Sequence, residues 1–293
     1  MRNILLVAEL ALREAVRRRL VLALVALTLI FLGFYLYGVH LLQARLAERA
    51  SDLGFDRPLR SANLTYAFAT LFGLYLVNFL GGLMAVLSSV GAISGEVETG
   101  TIQTMAYKPV SRAQIVTGKW LGFAMINVLY VTLLSVGLVL GVRLLTGFTP
   151  PSPIPAVALI NFTVLLLLTL TILGGTFFTT LANGIGVFLL YGLGFAGGIL
   201  SSIGGSTDTP LLVRLGTWST YVMPADALWK GASYYLQPQQ LLDFQRYAED
   251  AGAGGGNPFL GTQPPSTTLL IWAGVYVVLA LMLALFIFRR RDL

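Results

Sequence analysis

Apolar residues run along this chain in six long blocks separated by short polar stretches, at about Leu20–Val39, Leu64–Ile93, Trp120–Val142, Ala156–Leu181, Ile185–Ile203 and Thr268–Phe288. Each approaches or exceeds the roughly 20 residues that an α-helix needs to cross about 30 Å of hydrocarbon. The second and fourth are long enough to predict tilt or protrusion. Asn183-Gly184, between the fourth and fifth, reads as a tight turn. Ahead of the blocks, Ile4, Leu5, Ala8, Ala11, Leu12, Ala15 and Val16 share one helical arc, and Arg2, Glu9, Arg13 and Arg17 share another. This predicts an amphipathic helix over residues 1–19, lying in a membrane interface or extending the first span. The expected fold is an all-α polytopic membrane protein with six transmembrane helices, a single transmembrane domain over residues 1–293.

Composition agrees with the pattern. The 293 residues are 56% hydrophobic and only 11% charged, where soluble domains carry about 25% charged residues. The net charge of +6 does not call for nucleic acid, because the basic residues sit at the ends of the apolar blocks. With the amino terminus inside, the inner segments hold Arg2, Arg13, Arg17, Arg18, Arg19, Lys108, Arg112, Lys119, Arg289, Arg290 and Arg291 against Glu9, Glu14, Glu96, Glu98 and Asp292. The outer segments balance their basic and acidic residues. Basic residues favour the cytoplasmic side, so both termini are expected in the cytoplasm of a prokaryotic cell membrane. There is no cysteine and only one histidine, His40. Disulfides, thiolate catalysis and a histidine-based metal site are therefore not expected.

Between the second and third blocks lies a polar island, residues 94–119. Ser111 and Gln114 have the spacing of a capping box, which predicts a helix start. Pro109 ends or bends whatever precedes it. Helix, break, helix and then a span is the expected order, with a cytoplasmic coupling helix in the island. On the opposite side, residues 204–266 form a long extracytoplasmic segment. Trp218, Tyr221, Trp229, Tyr234 and Tyr235 suit a membrane interface, and a short helix is expected from Pro224 to Leu236. A crossing or re-entry by 211–236 would bury Arg214, Asp226 and Lys230, a costly arrangement.

The six blocks contain no Asp, Glu, Lys or Arg, so the ionisable relay of a proton-driven carrier is missing. Asn78, Asn127 and Asn161 are candidates for lining a substrate path, although interhelical hydrogen bonding is their commoner use. Gly194 and Gly198 form a small-xxx-small pair, suited to a dimer seam or to packing within one subunit. Gly118-Lys119 is no phosphate loop, since Ala113 and Trp120 stand where Gly and Ser or Thr are needed. Nucleotide binding by this chain is therefore not expected.

Glu96-x-Glu98-x-Gly100-Thr101-Ile102, then Pro109-Val110-Ser111-Arg112 and Gly118-Lys119, resembles the cytoplasmic signature of type-2 ABC exporter permeases. Pro224-Ala225-Asp226 and the Ile287-Phe288-Arg289-Arg290-Arg291 ending liken it most to the permease group that assists nitrous-oxide reductase maturation and to relatives of unassigned cargo. The resemblance implies a permease working as a dimer with a second copy or a paralogue. It implies two separate ABC ATPase subunits that hold the ATP and magnesium, with no cofactor on this chain. Coupling to the ATPase would fall to Glu96, Glu98, Gly100, Thr101, Pro109, Ser111, Arg112 and Lys119. Membrane lipid and an extracytoplasmic protein are further expected partners. The alternative is a membrane subunit that transports nothing and relays ATPase motion to that extracytoplasmic protein; an intramembrane enzyme has no visible catalytic constellation.

Overall fold

A computed structural model describes residues 2–52, 60–98, 111–250 and 257–290, and among them there is no strand. The helices are α1 (Arg2–Arg17), α2 (Arg19–Asp52), α3 (Arg60–Ser89), α4 (Ser94–Glu98), α5 (Arg112–Thr146), α6 (Pro153–Gly175), α7 (Thr180–Ser206), α8 (Pro210–Val222), α9 (Ala225–Leu236), α10 (Gln239–Asp250) and α11 (Thr267–Arg290). Six of them, α2, α3, α5, α6, α7 and α11, are long and apolar enough to cross a membrane. The end of the bundle that carries α4 is called proximal below, and the opposite end distal.

α6 is the hub. It is apolar on every side, and such a helix belongs in an interior. It packs against α3, α5, α7, α9 and α11, and Ile160, Leu166, Leu167 and Leu168 are fully buried. The outward faces of α2, α7 and α11 expose Leu29, Phe34, Leu189, Val278 and Met282. In water such surfaces would aggregate; in a bilayer they meet acyl chains. Small residues let α1 approach α5 closely. Ala8, Ala11 and Ala15 are buried, and a Cβ added at Gly122 would lie 2.5 Å from the Ala8 carbonyl oxygen. The exposed Leu5, Leu6 and Leu10 face away from the bundle.

Four sequence-based expectations change. α2 continues to Asp52, well beyond the apolar block that ends at Val39, so residues 40–52 extend the first span as helix. No separate coupling helix follows Ser111. The capping box forms, with Ser111 Oγ accepting from the Gln114 amide at 3.3 Å and Gln114 Oε1 accepting from the Ser111 amide at 3.0 Å. It starts α5, which runs unbroken into the span. The fourth and fifth spans are not joined at Asn183-Gly184. Thr179 caps α7 through the Ala182 amide, and Asn183 lies inside the first turn, 1% exposed. Its Nδ2 donates to the Thr171 carbonyl at 2.8 Å and the Val90 carbonyl at 3.3 Å.

The fourth change is the largest. α8 and α9 do not lie across the distal end as an interfacial segment. α8 folds back antiparallel along α7, where Gly204 meets Val213, Gly197 meets Ser219 and Gly194 meets Met223. α9 then returns along α6 until the Ser152 amide donates to the Tyr235 carbonyl. Asp226 stands opposite Gly198, about 12 Å below the distal end of α7 at the usual helical rise. The charge that should forbid this dip is compensated, because Lys230 is four residues on and pairs with Asp226 Oδ2 at 3.1 Å. Arg214 stays exposed near the distal end of α8.

Candidate coupling strap and distal cavity

The proximal end is fastened by one short segment. Lys119, in the second turn of α5, points inward and is 4% exposed. Its ammonium pairs with Glu96 Oε1 at 2.5 Å and donates to the Ala92 carbonyl. Two residues further, the Glu98 carboxylate accepts from the Thr180 amide at 2.8 Å and the Thr180 hydroxyl at 3.2 Å. An acid in that position meets unsatisfied amides and the positive end of the helix dipole. Ser94 Oγ lies 2.8 Å from Thr180 Oγ1. Residues 90–98 therefore form a strap: one end is held by α5 and the other by the start of α7. Arg18, after α1, ties in at the Ser88 carbonyl at 3.1 Å and covers the Phe123 ring.

The sequence-predicted coupling residues thus divide. Glu96, Glu98 and Lys119 are brought together by the strap. Ser111 is the cap of α5. Arg112 donates to the Arg289 carbonyl at 3.2 Å, at the end of α11. Gly100, Thr101 and Pro109 lie outside the described residues. Lys119 is enclosed in the bundle and meets the strap, not the surface. The Gly118-Lys119 pair is consequently part of the packing: Gly118 and Gly122 admit α1, and Lys119 points the other way to the strap.

The path candidates divide as well. Asn127 Nδ2 donates to Ser88 Oγ at 3.1 Å and to the Phe123 carbonyl at 2.8 Å. Asn161 Nδ2 donates to Thr132 Oγ1 at 3.0 Å and to the Val157 carbonyl at 2.9 Å. Neither lines the cavity of about 240 Å³ between α3, α7 and α9. Asn78 does, beside Tyr75, Tyr191, Phe195, Asp226 and Trp229. Gly194 and Gly198 face Met223 and Asp226 of the same chain; a Cβ on Gly198 would fall 1.9 Å from Asp226 Oδ2. A second cavity of about 360 Å³ shares Tyr75 and Trp229 and continues past Phe68, Phe72 and Phe259. Its wall is held by the Trp229 indole donating to the Phe259 carbonyl at 2.7 Å and by Gln237 Nε2 donating to the Gly261 carbonyl at 2.8 Å.

Sequence reasoning missed Asp226, Lys230, Tyr75 and Tyr191 as site residues. The signal for the first two was present: a carboxylate and a lysine at i,i+4, within reach of a Gly-rich helix face. Among the described residues no group of three or more His, Cys, Asp or Glu could hold a metal ion.

No curated protein matches this chain. Residues 5–293 match the family described as ABC-2 family transporter protein. That match spans nearly the whole chain and includes all six membrane-spanning helices, so the chain belongs to the ABC-2 transporter family and is a multi-pass membrane component of the ABC-transporter permease type.

Proposed function

We propose that this chain is the membrane-spanning subunit of an exporter driven by ATP hydrolysed on a separate ABC ATPase, which docks at the proximal end. The observation that carries the reading is the strap. A push on residues 94–98 reaches α5 through Glu96–Lys119 and α7 through Glu98–Thr180, and α7 and α9 wall the distal cavity. A dimer, with a second copy or a paralogue, would give each ATPase one strap to act on. The excess of basic residues at the proximal end supports a cytoplasmic position for it and for both termini.

Within the family, Pro224-Ala225-Asp226 and the basic carboxyl-terminal ending support a likeness to the nitrous-oxide reductase maturation group. One observation favours the alternative, a subunit that acts on an extracytoplasmic protein. α10 exposes Phe244 and Tyr247 one turn apart at the distal end, a surface that a partner or lipid headgroups would cover. Co-reconstitution with the cognate ATPase tests the first reading. ATPase activity stimulated by this chain, and lost in Glu98→Gln with assembly intact, is the expected result; equal stimulation by wild type and Glu98→Gln counts against the strap.

A further inference from the structure

The distal cavity presents a single kind of chemistry. Tyr75, Tyr191, Phe195 and Trp229 offer aromatic faces to it, and Asp226 offers a carboxylate. Among the described residues no Lys or Arg lines it. Asn78 is 3% exposed, and its Oδ1 has no hydrogen-bond partner. Its Nδ2 is turned to the Tyr191 hydroxyl at 3.5 Å. The Oδ1 atom has almost no accessible surface, so it is closed to a ligand, and Asn78 lines the cavity with the rest of its side chain. The Lys230 ammonium pairs with Asp226 Oδ2 at 3.1 Å and donates to the Gly198 carbonyl at 3.2 Å. Carboxylate and π faces both attract positive charge. The second cavity extends the aromatic surface. Phe68, Phe72, Tyr75 and Phe79 recur along one face of α3, and Phe68 and Phe72 line that extension.

We propose that the two cavities form one binding site for an amphiphilic organic cation. The head lies at Asp226 beside Asn78, where the positive charge shares the carboxylate with Lys230. The flat apolar body lies along Tyr75, Trp229, Phe72 and Phe68. This names the cargo class of the permease and rests on that reading for transport, but binding itself needs neither ATPase nor nucleotide.

The test uses the full-length protein in lipid nanodiscs, with ethidium as the cationic probe and anilinonaphthalene sulfonate as an anionic probe of comparable size. Binding is followed by quenching of protein tryptophan fluorescence and by ethidium polarisation. Saturable ethidium binding that the anionic probe does not displace is expected. Asp226→Asn should weaken it about tenfold, the equivalent of one lost desolvated charge contact. Because Asp226→Asn also disturbs Lys230, Tyr75→Leu serves as a second variant; it leaves the ion pair intact, removes an aromatic face that both cavities share, and should weaken ethidium several-fold. Unsaturable uptake that is equal in all variants, or displacement of ethidium by the anionic probe, overturns the proposal. Failure of the permease reading looks different: ethidium binds at the cavity, yet the complex with its ATPase never accumulates it in vesicles on adding ATP.

Discussion

Two lysine–carboxylate pairs divide the molecule between them. At the proximal end Lys119 and Glu96 join different helices across 2.5 Å, with side chains 5% and 18% exposed. At the distal hairpin Lys230 and Asp226 sit four residues apart on one helix at 3.1 Å, with side chains 24% and 10% exposed. The first pair is a tie: it exists only while α4 and α5 are docked. The second is a local compensation: the pair itself lies within α9, with Lys230 also donating to the Gly198 carbonyl of α7. The comparison teaches that similar chemistry serves transmission at one end and recognition at the other, according to whether the partners share a helix.

The sharpest break of that contrast is Lys119→Met. It leaves the Glu96 carboxylate enclosed without its ammonium, which costs about 3–5 kcal/mol for a buried pair broken on one side. A large loss of thermal stability and of assembled complex is expected, and Glu96→Gln with Lys119→Met should recover most of it, since replacing both charges is far cheaper than stranding one. A thermal melt of the single and double variants in lipid checks both. Lys230→Met should be milder, because Lys230 is itself 24% exposed against 5% for Lys119 and its pair with Asp226 joins no two helices. Equal losses for Lys119→Met and Lys230→Met would dissolve the distinction.

Next in size is the close contact of the hairpin. A Cβ on Gly197 would lie 1.5 Å from Ser219 Oγ, so Gly197→Val should cost about 1–3 kcal/mol by overpacking. It should spoil ethidium binding while leaving ATPase docking intact. Pull-down of the ATPase together with probe binding separates the two ends.

Glu98→Gln tests the strap without stranding a charge. Glu98 is exposed, so the expected stability loss is only about 0.5–1 kcal/mol, while stimulated ATPase should fall markedly. Activity and melting temperature measured on one preparation show whether coupling and stability part company. Smallest of all is Glu9→Gln. The Glu9–Arg13 pair is well exposed on α1, and such i,i+4 pairs contribute about 0.3–0.5 kcal/mol, so assembly and stimulated ATPase should be unchanged.

The same contrast shows what was legible beforehand. The six spans and the Ser111 cap were open to reading because each rests on local chemistry: unbroken apolar runs and a three-residue spacing. The burial of Lys119 was not legible, because it depends on α4 folding over the start of α5, which no local pattern records. Asn183-Gly184 looked like a turn by composition, but Thr179 supplies the cap and Asn183 bonds to Thr171 and Val90 instead. The hairpin was set aside on the cost of burying Asp226 and Lys230 singly, whereas the two enter as a pair. Of the three asparagines, only Asn78 reaches the cavity; the other two saturate their amide donors between helices, and period alone cannot separate these roles.

Because the natural chain contains no cysteine, a single one can report on the link between the ends. Phe79→Cys places a thiol at the exposed rim of the distal cavity. Its rate of maleimide labelling, measured in the ATPase complex with and without ATP, reads whether nucleotide at the proximal end moves the cavity. The expected result is an ATP-dependent change in rate that disappears when Glu98→Gln is added, although the complex remains assembled and keeps the ATPase's basal, unstimulated hydrolysis. An ATP-dependent change that persists in full with Glu98→Gln, or no change in either protein, would contradict transmission through the strap.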